Sequence, residues 1–109
     1  MLILPIKKKW FDMIKSGEKK EEYREIKQYY DTRIGNALLG FPLQFCSKEL
    51  VERKMKEETI EVLFRNGYGI DAPEIWCKCR LRIGQGKEEW GAEPGKEYYI
   101  LEILEVLTQ

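Results

Sequence analysis

The segment Lys19–Ile26 reads KKEEYREI, and only Tyr23 and Ile26 in it lack a charge. Strand-like spacing there would place charge on both faces, yet a sheet normally hides at least one face in a core. Burying an unpaired charge costs several kcal/mol. Such a strand is tolerated when one of its faces lines a wet cleft or grips something polar. Just upstream, Lys8–Ser16 reads as an amphipathic helix, with Trp10 and Ile14 at i, i+4, Met13 beside them and Gly17 as its stop. The turn after Gly17 is therefore the first place to look for a site.

The 109 residues suit one domain, 1–109. A 43% hydrophobic share supports a core without disulfides. Nineteen basic residues balance nineteen acidic ones, so whole-molecule steering of nucleic acid is not expected. The distribution is uneven: residues 1–36 hold nine basic and six acidic side chains, +3, and residues 87–109 hold two and six, −4. Histidine is absent, which removes the usual near-neutral base and the commonest metal ligand. The three cysteines, Cys46, Cys77 and Cys79, have no framework spacing and fit a reducing, cytoplasmic setting. Cys77 and Cys79 share a strand face with Leu81 and Ile83, so packing explains them better than a metal. No apolar run is long enough to span a membrane. Neither a metal nor a cofactor is expected.

The remaining elements follow from pattern. Leu2–Ile6 reads as a first strand and Gln28–Ile34 as a short helix or turn. Gly35–Cys46 reads as an irregular loop because Gly35, Asn36, Gly40 and Pro42 interrupt it. Ser47 caps a charged helix, Lys48–Glu58, with spacing for Glu49–Arg53 and Glu52–Lys56 pairs and with Leu50, Val51 and Met55 as apolar anchors. Thr59–Arg65, Glu74–Ile83 and Tyr98–Leu107 read as strands. Strands outnumber helices and do not alternate with them as βαβ units do, which predicts an α+β chain: a small mixed β-barrel with two to three peripheral helices.

The run Gly17-Glu-Lys-Lys-Glu-Glu-Tyr-Arg24 resembles the signature G-x-K-x-x-[E/T]-x-R of the ASCH domain family, within the PUA-like superfamily. Gly17, Lys19, Glu22 and Arg24 match it, after an aromatic-rich helix containing Trp10, Phe11 and Ile14. Tyr29-Tyr30 and the turn Asn66-Gly67-Tyr68 are also similar to features of that family. The resemblance implies a five- or six-stranded barrel with a cleft beside the motif, and RNA or nucleotide-like ligands. Some members are amidohydrolases of N4-acylated cytidines, in which a threonine of the motif is the nucleophile and a lysine assists; others act as ribonucleases. Here the lysine position is Lys19, but the threonine position is Glu22, a carboxylate where an activated hydroxyl is needed.

The residue chemistry runs alongside this. Arg24 offers a planar donor fork for phosphate or a base edge, Lys19 a point charge, and Glu22 an acceptor for either cation or for an exocyclic amine. Gly17 permits a positive φ and close approach, and Tyr23 or Tyr68 can stack on a base. The bland alternative is a surface strand with weak ion pairs. The leading expectation is RNA or nucleotide binding through Gly17, Lys19, Glu22, Tyr23, Arg24 and Tyr68. The competing one is a small hydrolase of a modified nucleoside or RNA, with Lys19 or Glu22 as general base. A second basic stripe, Trp76, Lys78, Arg80 and Arg82, has the make-up of a single-strand platform, but an ordinary solvent face paired to acids such as Glu61 or Glu102 accounts for it better. Trp90 reads as a lid over the core. A third possibility is a protein adaptor working through Ser47–Glu58.

Overall fold

A single mixed sheet takes up most of the strand-forming sequence. The computed structural model describes residues 1–108. Its strands are β1 (Leu2–Pro5), β2 (Glu21–Glu25), β3 (Ile60–Arg65), β4 (Glu74–Gln85) and β5 (Glu97–Val106), in the spatial order β1-β3-β4-β5-β2. Only the β1–β3 pair is parallel; the others are antiparallel. Three helices accompany them: α1 (Lys8–Lys15), α2 (Gln28–Leu39) and α3 (Lys48–Glu57). The chain is thus α+β, with five strands curled into a half-barrel.

The curl brings the two sheet edges together. β1 and β2 do not pair by backbone, but Arg24 Nη2 on β2 donates to the Pro5 carbonyl at the end of β1, at 2.7 Å. The helix α1 joins these same two strands, and α2 packs on β1, where Arg33 Nη2 also donates to the Ile3 carbonyl at 3.4 Å. A register irregularity between Lys78 and Cys79 interrupts the β4–β5 ladder, a device that increases local bend.

Alternation places the core. Val62 and Phe64 of β3, Cys77, Cys79 and Leu81 of β4, and Tyr99 and Leu101 of β5 face inward, with Phe11 and Ile14 of α1 packed beside them. Ile83 was expected on that inner face, but it is 48% exposed, because β4 runs on beyond the layer it covers and Ile83 ends beside Met55 in a shallow hollow. On the other side of β5, Tyr98 and Ile100 pack with Ala92 and Tyr23, so the loop between β4 and β5 covers that outer face.

The helix α2 runs five residues beyond the expected Gln28–Ile34, through the supposed loop residues Gly35 and Asn36. Gly35 is there for proximity. A Cβ on it would sit 2.4 Å from both Leu43 N and Phe41 O, so only glycine lets the returning chain lie against the helix. Gly40, at φ +79°, is the actual stop. In α3 the Ser47 hydroxyl accepts from Leu50 N as expected, while the ion pairs fall elsewhere, at Arg53–Glu57 and Lys54–Glu58. Exposed pairs are worth about 0–1 kcal/mol, too little to dictate which partners meet. No described helix is long and apolar enough to cross a membrane.

Candidate functional site

The charged strand resolves into two faces with different partners. On its outer face Glu21 takes Arg82, and Glu25 takes Lys96 and Lys27. Tyr23, also outward, donates to Glu21 Oε1 at 2.7 Å and accepts from Lys87 N at 2.9 Å. The inner face carries Glu22 and Arg24, opposite Leu101 and Tyr99 of β5 in the register. A carboxylate and a guanidinium therefore enter a layer otherwise made of hydrophobic side chains.

Glu22 is the hub. Its Oε1 lies 3.3 Å from Lys19 Nζ, and its Oε2 accepts Arg24 Nε at 3.1 Å and Nη2 at 2.7 Å. Arg24 Nη1 also donates to the Tyr30 hydroxyl at 3.2 Å. With Glu22 and the Pro5 carbonyl as well, this arginine spends most of its five donors inside the protein. It pins the β1–β2 seam more than it presents a fork to solvent. Burial opposes the Arg24 charge, but Glu22 and Tyr30 outweigh it and raise its pKa above the ordinary value.

Lys19 is the most deeply placed charge in the chain, with 1% of its surface exposed. The end of α1 directs it there. Gly17, at φ +85°, turns the chain so that Lys19 N donates back to Met13 O at 2.9 Å. Its ammonium donates to the backbone carbonyl of Trp90 and stands 4.7 Å from the Trp10 ring centre and 4.9 Å from that of Tyr23. Two ring faces, a carbonyl and a carboxylate thus replace its hydration. Burial lowers the Lys19 pKa, and Glu22 offsets part of that. Gly91, at φ +103°, makes room for the indole: a Cβ there would be 3.0 Å from Trp10 Cζ2.

A cleft of about 420 Å3 opens onto this arrangement. Glu22 and Arg24 reach it from β2, Trp10 from α1, Tyr30 from α2 and Tyr98 from β5, with Lys7 and Glu25 also lining it. Its volume falls within the range of small-molecule sites, about 300–1,000 Å3. The first turn of α1 adds positive potential at the Lys7 end: Lys7 is the N-cap, no side chain caps the helix, and that turn holds no acid. Along the lining Lys7 and Arg24 are matched by Glu22 and Glu25, and Lys19 behind the wall is the one cation in excess.

The structure brings Glu22, Tyr23 and Arg24 together along this cleft. Lys19 touches Glu22 but lies behind the cleft wall, and with Gly17 it borders a separate small hollow. Tyr68 is 88% exposed and borders a neighbouring hollow. The Trp76, Lys78, Arg80, Arg82 stripe lies on β4, in the middle of the sheet rather than at an edge. Lys78 stands between Glu61 and Glu105, Arg80 opposite Glu102, and Arg82 pairs with Glu21 and Glu102, so acids neutralise that face. Sequence reasoning did not find the Trp90 and Pro5 carbonyls, which carry no signal in residue type. It also left out Lys7, Tyr30 and Tyr98, whose types were visible but whose convergence depends on the curl of the sheet.

No significant match to a protein-family model, a curated protein or a solved structure is found for this chain.

Proposed function

We propose that the chain is an ASCH-type, PUA-like domain that binds RNA or a nucleotide-like ligand in the cleft beside Glu22 and Arg24, in a cytoplasmic setting. One observation carries the reading: a concave site floored by a carboxylate clamped between two cations and walled by Trp10, Tyr30 and Tyr98. Aromatic walls suit a planar base, and stacking contributes about 1–3 kcal/mol per base. The excess positive charge and Lys7 at the lip suit a phosphate. The free thiols of Cys46, Cys77 and Cys79 fit a reducing compartment.

Binding is favoured over hydrolysis by how the triad is spent. A general base needs a free lone pair within reach of substrate. The Lys19 ammonium donates to Trp90 O and faces Glu22 from behind the cleft wall, and Glu22 already accepts from Arg24. Lys19 is therefore not placed to take a proton from a ligand, and Glu22 faces the cleft with its charge already matched by two cations.

The test is titration of short labelled RNA and of nucleoside monophosphates across a salt series. Log affinity should fall linearly with log salt, and Lys7→Ala should flatten the slope by about one for a phosphate contact. Tyr30→Ala should weaken binding about five-fold or more through lost stacking. Absence of binding, or an affinity indifferent to salt and to both substitutions, would falsify the reading. Turnover of an acylcytidine or RNA that disappears in Lys19→Ala would move the assignment to the hydrolase.

A further inference from the structure

The cleft has a neighbour. A second hollow, of about 280 Å3, is lined by Pro5, Ile6, Lys7, Gly67 and Tyr68. It shares Pro5, Ile6 and Lys7 with the first, so the two lie on either side of one short segment of chain. Alone it falls just under the size of an ordinary small-molecule site, about 300 Å3 at the least. With the cleft across that segment, it makes a second seat beside the first, with Lys7 between them.

The wall of this second hollow is built in place. Asn66 N donates to Pro73 O at 3.0 Å and closes the base of the loop, and Asn66 Nδ2 donates to Ile6 O at 3.0 Å, tying the loop to the shared segment. Arg65 Nη2 holds Gly69 O at 2.8 Å, and Ala72 N holds the same carbonyl at 3.1 Å. Tyr68 stands on this anchored loop with 88% of its surface exposed. Lone exposed aromatics are ordinary. This one differs in lying on a braced loop at a hollow that adjoins a charged, aromatic cleft. Lys7, between the two hollows, is exposed and has no ion-pair partner among the described residues.

Resting on the binding function proposed above, we propose that the ligand is a single strand of at least two nucleotides rather than a free nucleotide. One base occupies the cleft against Trp10 and Tyr30, the phosphate that follows meets Lys7, and the next base stacks on Tyr68. The second base is the element that a free nucleotide lacks, and Tyr68 is the side chain placed to receive it. A base has a π-face whatever its identity, so the Tyr68 position tolerates any sequence.

The experiment compares three probes on the intact chain by calorimetry and anisotropy: the four nucleoside 5′-monophosphates, dinucleotides of mixed sequence, and a random-sequence RNA hexamer. Each is titrated against wild type, Tyr68→Ala and Tyr68→Phe; Tyr68 is exposed, so the variants keep their fold, which circular dichroism checks. Dinucleotides and hexamer should bind wild type roughly ten-fold or more tightly than monophosphates. Tyr68→Ala should erase that advantage while leaving monophosphate affinity unchanged, and Tyr68→Phe should restore it. Equal affinities for mono- and dinucleotides, or a Tyr68→Ala protein that keeps the advantage, overturns the second seat and leaves the single-cleft reading standing. If none of the probes binds, both fall together.

Discussion

Replacing Glu22 by glutamine tests whether the carboxylate is what makes two buried cations tolerable. The substitution preserves shape but removes the only negative charge among the described residues that touches both Lys19 and Arg24, and its amide places a donor among donors. Unit charges 3.3 Å apart, the Lys19–Glu22 separation, attract by roughly 5 kcal/mol at an effective dielectric near 20. Arg24 adds a second contact at 2.7 Å. Desolvation cancels much of the gross attraction, and removing one partner of a buried pair costs about 3–5 kcal/mol net. Against a domain stability of about 5–15 kcal/mol, that is a large fraction. At about 4 °C per kcal/mol for a chain of this size, the melting temperature should drop by about 12–20 °C. Urea unfolding followed by the fluorescence of Trp10 and Trp90, which flank the lysine, should show a lower midpoint at unchanged slope. Lys19→Met should cost less, since it leaves a balanced Glu22–Arg24 pair and strands only the Trp90 carbonyl, at about 1–3 kcal/mol. The double variant should be less damaged than the sum of the two. A Glu22→Gln loss under about 1 kcal/mol, or a larger loss in Lys19→Met, would refute the reasoning.

Three further outcomes are expected. Stability should fall as pH rises above 9. Burial pushes the Cys77 thiol from its ordinary 9.0 up to about 11 and raises Cys79, Tyr23 and Tyr99 as well. The folded state therefore holds these protons after the unfolded chain has released them, so stability drops by up to about 1.4 kcal/mol per pH unit per group. Lys19, with its lowered value, acts in the opposite sense below 10.5, against the two thiols from pH 9 and the two tyrosines as well from pH 10. Urea midpoints at pH 8, 9 and 10.5 that stay level or climb would contradict this. Gly86→Ala should cost about 1–3 kcal/mol, because the new methyl lands 2.5 Å from Tyr23 Cζ and 2.8 Å from Ala92 Cβ; thermal melts read the loss, and an unchanged melt counts against the packing described. Arg24→Lys should loosen the seam, since donors on one nitrogen cannot reproduce a fork that reaches Glu22, Tyr30 and Pro5 O from three. Amide exchange in β1 and β2 should accelerate relative to β3–β5, and uniform exchange would argue against a seam.

The strands were legible because their alternation is set by burial. Cys77, Cys79 and Leu81 point inward because the other face of β4 carries Lys78, Arg80 and Arg82. What the sequence hid depends on distant chain. Gly35 reads as a helix breaker, and only the backbone of Phe41–Leu43 lying against it turns that glycine into a requirement. The charge-dense strand pointed to an unusual environment, and the inner face does line a cleft. The roles were less legible: Arg24 looks like a ligand fork in isolation, and it becomes a clasp because the curl of the sheet brings Pro5 O within reach. Lys19 looks like a surface charge among charges, and its burial is decided by a carbonyl 71 positions later.

That carbonyl belongs to Trp90, in the long, turn-rich connection between β4 and β5, which looks dispensable by length and composition. It is instead the stopper over the lysine. Trimming this connection to a tight hairpin would leave an ammonium in a greasy chamber with a single oxygen facing it, and water would have to follow it inward. The sheet would keep its strands and lose the dry wall behind the cleft. Among natural variants of this chain, insertions should accumulate elsewhere before they accumulate here.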